Sequence, residues 1–142
     1  LQFVTITLVG GVICQPLIGI LLDRMNKRLL MNIAVFCTFV CPIIIGVFLG
    51  NFYLVALSCF VWGGAASGIF SISLTMLGER YTASQVAGAT AILVMVFECG
   101  SLIGPLIGGR VMDIFGPFGF IYTIVFFTFI FLMISIYRTI RN

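Results

Sequence analysis

Long apolar runs, separated by short polar breaks, constrain this chain more than any other feature of its sequence. A helix needs about 20 apolar residues to cross the hydrocarbon core of a bilayer. Runs near or above that length lie at about 2–22, 29–49, 52–77, 85–109 and 117–137. The pattern predicts an all-α membrane protein, a polytopic bundle of five transmembrane helices in which residues 1–142 form a single membrane domain.

The composition supports this class and excludes several others. Only 8% of the residues are charged and 62% are hydrophobic, whereas an ordinary soluble domain carries about 25% charged residues. The 7 basic and 4 acidic residues form no stripe, so a nucleic-acid interface is excluded. The chain has no histidine, and its 5 cysteines lie in apolar runs without C-x-x-C spacing. We therefore predict no metal site, no cofactor and no enzymatic activity.

Basic residues are distributed unequally between the two ends of the predicted helices. The breaks at 23–28 and 78–84 and the C-terminal tail fall on one side of a five-helix arrangement. That side carries six of the 7 basic residues, namely Arg24, Lys27, Arg28, Arg80, Arg138 and Arg141. Arg110 falls on the other side. By the positive-inside rule, we predict a cytoplasmic C-terminus and place residue 1 on the opposite side.

Glycine and proline mark the faces on which helices are expected to pack. Residues 100–109 read G-S-L-I-G-P-L-I-G-G, and a shorter P-L-I-G segment ends at Gly19. Small residues four apart allow membrane helices to approach closely, and a proline removes a backbone donor. We assign packing or conformational roles to Gly19, Gly100, Gly104, Pro105, Gly108 and Gly109. Tight packing alone and packing that also serves a conformational change are both consistent with this pattern.

Two polar side chains interrupt the apolar runs. Glu98 lies near the middle of a predicted span, and Gln15 lies next to Pro16. An acidic residue at the centre of a membrane helix costs roughly 2.5–3.5 kcal/mol, so we expect Glu98 to be buried against a cavity or a partner. Removal from water favours the protonated carboxyl, which suits a proton-coupled carrier. Both residues are candidates for substrate or proton binding, and the alternative for each is a hydrogen bond to a neighbouring helix.

Charged residues in the two breaks on the basic side form a second candidate site. Asp23, Arg24, Lys27 and Arg28 lie in the first break, and Glu79 lies in the second. Opposite charges at adjacent helix ends attract one another, so we predict that Glu79 pairs with a cation of the first break. Such a pair would latch the helix ends together. The alternative is a solvated loop without a defined pair.

Two segments resemble signatures of the major facilitator superfamily. Residues 19–28, G-I-L-L-D-R-M-N-K-R, resemble its loop signature G-x-L-x-D-R-x-G-R-[KR], with Asn26 in place of glycine and Lys27 in place of arginine. Residues 100–109 resemble the family's G-x-x-x-G-P-x-x-G-G segment. The whole chain resembles spans eight to twelve of the twelve-helix fold, its C-terminal half, in the efflux-type and uncharacterised bacterial branch. A match to spans two to six is the alternative, but the basic tail and the lack of an arginine in the third run favour the C-terminal half.

This resemblance implies a partial domain of a secondary transporter that moves a small solute by alternating access, with proton-coupled efflux by an antiporter as one form. It implies a bacterial inner-membrane location, with the lipid bilayer, the solute and the missing N-terminal half of the transporter as partners. It also assigns Asp23, Arg24 and Arg28 to a cytoplasmic latch, and the asparagine at 26 is expected to keep the left-handed tolerance of glycine. The alternative is a truncated or small structural or assembly membrane protein without transport activity of its own.

Overall fold

Helices account for almost all of the residues that the structure, a computed structural model, describes (2–141). Within that range the α-helices are α1 (Gln2–Arg24), α2 (Lys27–Val47), α3 (Phe52–Arg80), α4 (Ala83–Phe115) and α5 (Gly119–Arg141). A 3₁₀ turn at Gly116–Phe118 joins α4 to α5. The all-α fold predicted from the sequence is confirmed.

α3 lies at the centre of the bundle and contacts α1, α2 and α4. α1 runs parallel to α3, because the Phe3 and Phe52 rings near their first turns meet with centroids 5.5 Å apart. α2 runs antiparallel to α3 after a short connection at 48–51. Val35 of α2 and Ile72 of α3 are completely buried, so the core of the bundle is built around these two helices.

α5 packs against the side of α2 and runs antiparallel to it. Phe39 and Phe129 meet with ring centroids 5.8 Å apart. Nearer the start of α2, Asn32 is hydrogen-bonded to Ser135 and Thr139, close to the end of α5. The start of α2 and the end of α5 therefore lie at the same end of the bundle.

α4 is the least buried helix of the bundle. Its Phe97 ring meets Phe70 of α3 with centroids 5.0 Å apart, and Gly108 lies beside Phe120 of α5. Among the described residues of α4, Gly108 alone is buried. The rest of the helix presents an extended apolar surface, which is stable where lipid or further apolar helices cover it.

Length and hydropathy identify four helical segments within 2–141 that are suited to crossing a membrane. The first three are α1, α2 and α3, and the fourth is the run Ala83–Arg141, which contains both α4 and α5. Helices satisfy their own backbone hydrogen bonds, which a bilayer requires, and many large apolar side chains point outward from these helices. The protein is therefore an integral membrane protein.

Several helices extend beyond the predicted apolar runs. α4 continues through Arg110 to Phe115, although the sequence predicted a break from Arg110. It ends where Gly116 takes a φ of +70°, in the left-handed region that favours glycine. Asp23 belongs to the last turn of α1, so only two residues separate α1 from α2. Charge alone was a poor indicator of a break, because a helix end accommodates charged side chains readily.

Candidate functional site

Asn26 connects α1 to α2 and positions the basic residues that follow it. Its side chain accepts a hydrogen bond from the Arg28 main-chain N–H at 3.0 Å, which makes Asn26 the N-cap of α2. Its φ is −63°, so the expectation that this position keeps a left-handed role is wrong. Because the cap starts the helix here, Lys27 and Arg28 lie in its first turn and not in a loop.

An ion pair connects the start of α2 to the end of α3. The Lys27 ammonium group contacts the Glu79 carboxylate oxygen Oε1. The Lys27 side chain is 25% exposed and the Glu79 side chain is 60% exposed. Asp23, Arg24 and Arg28 form no ion pair within residues 2–141. The structure thus brings together two of the five residues grouped from the sequence and leaves three on the exposed surface.

An open cleft lies at the same end of the bundle, between the ends of α2, α3 and α5. It has a volume of about 1270 Å³. Its charged lining consists of Lys27, Arg28, Glu79, Arg80, Arg138 and Arg141. The sequence indicated that these residues share one side of the membrane, but it did not indicate that they surround a common space.

A hydrogen-bond network that sequence reasoning missed joins α2 to α5 beside this cleft. Ser135 Oγ donates to Asn32 Oδ1 at 2.5 Å, and Asn32 Nδ2 donates to Thr139 Oγ1 at 3.0 Å. Thr139 Oγ1 donates in turn to the Ser135 main-chain oxygen at 3.0 Å. The sequence alone could indicate this network only through the position of the three polar residues, which lie at the same level of two antiparallel helices. That level is evident only once α2 and α5 are known to be neighbours.

Glycines line the contact between α1 and α3. A Cβ on Gly10 would lie 2.8 Å from the carbonyl carbon of Phe60, and a Cβ on Gly63 would lie 2.7 Å from that of Thr7. A Cβ atom and a carbonyl carbon that are not bonded do not approach within 3.0 Å in real proteins. A side chain at either position would therefore force the backbones of α1 and α3 apart. Such close contact is typical of small residues between membrane helices. The two helices therefore form a tightly joined pair.

The glycines singled out in α4 behave differently. A Cβ on Gly100, Gly104 or Gly109 would meet no neighbouring atom within 4 Å, and the same is true of Gly19 in α1. Pro105 lies among them on the exposed surface, inside a continuous helix.

Of the predicted packing glycines, Gly108 is the one with a described partner, since a Cβ there would lie 3.2 Å from the Phe120 ring. Residues 2–141 therefore supply no close packing partner for Gly19 or for most of the Gly100–Gly109 run, and the packing role of these residues stays a prediction. The physical reason is that α4 meets the bundle mainly through Phe97 and its last turns, so the glycine face points outward.

Glu98 and Gln15 are both exposed. Glu98 lies on α4 two residues before Gly100, and neither polar side chain is hydrogen-bonded within residues 2–141. The expectation that Glu98 is buried is therefore not met by the described helices. A lone carboxyl on an apolar membrane helix favours a polar partner or a cavity, and residues 2–141 supply no hydrogen-bond partner for Glu98.

Comparison with known proteins identifies the family. The sequence profile of the Major Facilitator Superfamily matches residues 2–141. The chain is 30% identical over 104 residues to an uncharacterized MFS-type transporter of Yersinia enterocolitica, YE1530, and the alignment covers 73% of this chain and 26% of that protein. It is 25% identical over 116 residues to an uncharacterized MFS-type transporter of Bacillus subtilis, YfkF, with 82% of this chain and 29% of the relative covered. No solved structure matches the chain.

The chain thus spans between 26% and 29% of the length of these two relatives. Its apolar helices, its glycine-lined helix contact and its charged helix ends all occur within the region that the family profile matches. On the strength of that match over nearly the whole chain, the protein belongs to the Major Facilitator Superfamily.

Proposed function

We propose that the chain is part of a secondary transporter that carries a small solute across the bacterial inner membrane by alternating access. The family match over residues 2–141 is the observation that carries this proposal. Because the chain spans 26% to 29% of its relatives, the rest of the transporter, including its N-terminal half, supplies the facing wall of the solute pathway. Family membership favours this function over a structural or assembly role.

The proposed topology has five membrane crossings, one for each of α1 to α5. Each crossing lies close to one of the five apolar runs predicted from the sequence. The C-terminus lies in the cytoplasm. Contacts between α3 and α4 and between α2 and α5 support opposite directions for α4 and α5. The reversal then falls at Gly116, where the helix ends. The orientation follows from the positive-inside rule, since the ends of α1, α3 and α5 share the excess of basic residues.

Labelling of introduced cysteines tests this topology. Single cysteines are placed at Asn51, Ser84 and Phe118 in a variant whose native cysteines are replaced. A membrane-impermeant maleimide added outside the cell is expected to label Asn51→Cys and Phe118→Cys and to spare Ser84→Cys. Labelling of Ser84→Cys alone would show that the orientation is opposite to the one proposed. Protection of Phe118→Cys would contradict separate fourth and fifth membrane crossings.

Glu98 is the proposed proton-binding residue and Gln15 a proposed contact for the solute. The neighbours of Glu98 on the exposed face of α4 include Met95 and Leu102, which are 68% and 73% exposed. A charged carboxyl among such residues is costly in lipid, so it belongs to a face that the rest of the transporter covers or that borders the pathway. A carboxyl that is protonated on one side of the membrane and deprotonated on the other couples solute movement to the proton gradient.

The Lys27–Glu79 ion pair, together with the charged residues Asp23, Arg24 and Arg28, is the proposed cytoplasmic latch. The pair holds the ends of α2 and α3 together, and the glycine contacts hold α1 to α3. These three helices then move as one body while the pair is intact. The exposed glycine run of α4 is the proposed surface for close contact with helices outside the described chain.

Transport by the complete gene product in reconstituted vesicles tests the role of Glu98. Ethidium serves as the amphipathic test solute, and pyranine reports the internal pH. We expect the wild-type protein to move ethidium in exchange for protons and Glu98→Gln to lose the proton-dependent component. Ser101→Ala, on the same exposed helix, is the matched control and is expected to retain it.

Unchanged proton dependence in Glu98→Gln would remove Glu98 from the mechanism. A folded wild-type protein that moves neither ethidium nor protons would instead favour the structural or assembly function. The two outcomes are separate, because the first requires measurable transport and the second requires its absence.

A further inference from the structure

The cleft between the ends of α2, α3 and α5 has a strongly basic rim, which consists of Arg28, Arg80, Arg138 and Arg141. Its lining contains a single carboxylate, Glu79, and that carboxylate contacts Lys27. No further acidic side chain of the lining is left to balance Arg28, Arg80 and Arg141 of the basic rim. The cleft is therefore suited to an anion.

The same cleft has an apolar wall formed by Met31, Met76 and Ile134. Met76 precedes Arg80 by four residues, and Ile134 precedes Arg138 by four, so each lies about one helical turn deeper in the bundle than the arginine of its helix. Met31 lies a similar distance inside α2. The cleft thus changes from cationic to apolar over about one turn of helix.

This arrangement matches a phospholipid at the membrane surface. Guanidinium groups donate paired hydrogen bonds to phosphate oxygens, and basic pockets between membrane helices bind anionic headgroups. Free phosphate would use the basic rim but would gain nothing from the apolar wall. We propose that the cleft binds an anionic phospholipid, with its phosphate at the basic rim and the first part of its acyl chains along the apolar wall.

The size of the cleft agrees with this ligand. Its volume of about 1270 Å³ exceeds the range of about 300–1,000 Å³ typical of sites for small molecules. The Asn32–Ser135–Thr139 network holds the end of α5 against α2 and so fixes the position of Arg138 and Arg141 relative to Arg28. A lipid bound there bridges α3 and α5 at an end where the ion pair already joins α2 to α3.

Lipid binding to the complete gene product tests this proposal, which does not depend on solute transport. The purified protein in a neutral detergent is titrated with phosphatidylglycerol, with phosphatidylcholine and with inorganic phosphate, and native mass spectrometry measures the bound fraction. We expect a clear preference for phosphatidylglycerol, weakened by salt. The Arg80→Gln/Arg141→Gln variant is expected to bind phosphatidylglycerol roughly 25-fold more weakly, from about fivefold for each cation.

Two control variants separate the cleft from general surface charge and from misfolding. Arg110→Gln removes a cation from outside the cleft and is expected to leave the preference unchanged. Arg80→Lys/Arg141→Lys keeps the charge and is expected to retain most of the binding. Equal affinity in the glutamine variant, an equal loss in Arg110→Gln, or inorganic phosphate that binds as tightly as the lipid would each overturn the proposal.

Discussion

Gly10 of α1 lies directly against the main chain of Phe60 in α3, with no space between them for a Cβ. A Cβ built on Gly10 would fall 2.9 Å from the Phe60 Cα atom. Gly10 is also the one buried residue among those described in α1. The separation of the two helices is therefore determined at this point by backbone contact, with no side chain that could adjust.

Gly10→Ala is expected to destabilise the protein, whereas Gly19→Ala is not. The methyl group at position 10 must displace main chain, which costs about 1–3 kcal/mol. At position 19 it meets open space, and alanine favours the helix by up to about 1 kcal/mol. Thermal unfolding of the complete gene product in detergent measures both variants. An equal effect of the two substitutions would contradict the close contact of α1 with α3.

The Lys27–Glu79 pair is expected to contribute a small, salt-sensitive coupling. Since the Glu79 side chain is 60% exposed, the coupling energy should lie below about 1 kcal/mol. A double-mutant cycle with Lys27→Gln and Glu79→Gln measures it, at low and at high ionic strength. Arg24→Gln combined with Glu79→Gln provides the control, because Arg24 forms no ion pair within 2–141. Equal coupling of Arg24 and Lys27 to Glu79 would show that the pair is not specific.

Asn32 and Ser135 are expected to couple α2 to α5. Hydrogen bonds between membrane helices contribute about 0.6 kcal/mol on average and up to about 1.7 kcal/mol. A cycle with Asn32→Ala and Ser135→Ala should give a coupling in that range. A second cycle that combines Asn32→Ala with Ser101→Ala is the matched control. The Ser101 hydroxyl donates within its own helix, to the Phe97 main-chain oxygen at 3.1 Å. No measurable coupling between Asn32 and Ser135 would argue against the contact of the two helix ends.

Helices were predictable here because hydrophobicity along the chain is a local property. The runs from 2 to 22 and from 29 to 49 correspond closely to α1 and α2. The end of α4 was not predictable from charge, because Arg110 and Asp113 lie inside the helix and Gly116 terminates it through its backbone conformation. The register between helices was also outside the reach of the sequence, since it depends on which faces meet.

The candidate site was predictable in its chemistry more than in its contacts. A pair between Glu79 and one cation of the first break was foreseen, but the choice of Lys27 depends on the helix start at Asn26. The spacing of glycines shows that a helix has a face without side chains. It does not show which other helix packs against that face. That is why Gly63 packs against α1 while Gly104, in an equally suggestive pattern, meets no described neighbour.

Substitution of Asn26 tests why this residue stands where the resembling loop signature has glycine. Its side chain caps α2 through the Arg28 N–H, so Asn26→Ala is expected to cost about 1 kcal/mol and Asn26→Gly only a few tenths. Asn26→Asp should retain the cap, because a carboxylate also accepts from the first turn and favours the positive helix end. Thermal unfolding of the three variants gives the order. If glycine proved as harmful as alanine, the residue would act through something other than the cap, since glycine is a tolerable N-cap and alanine is a poor one.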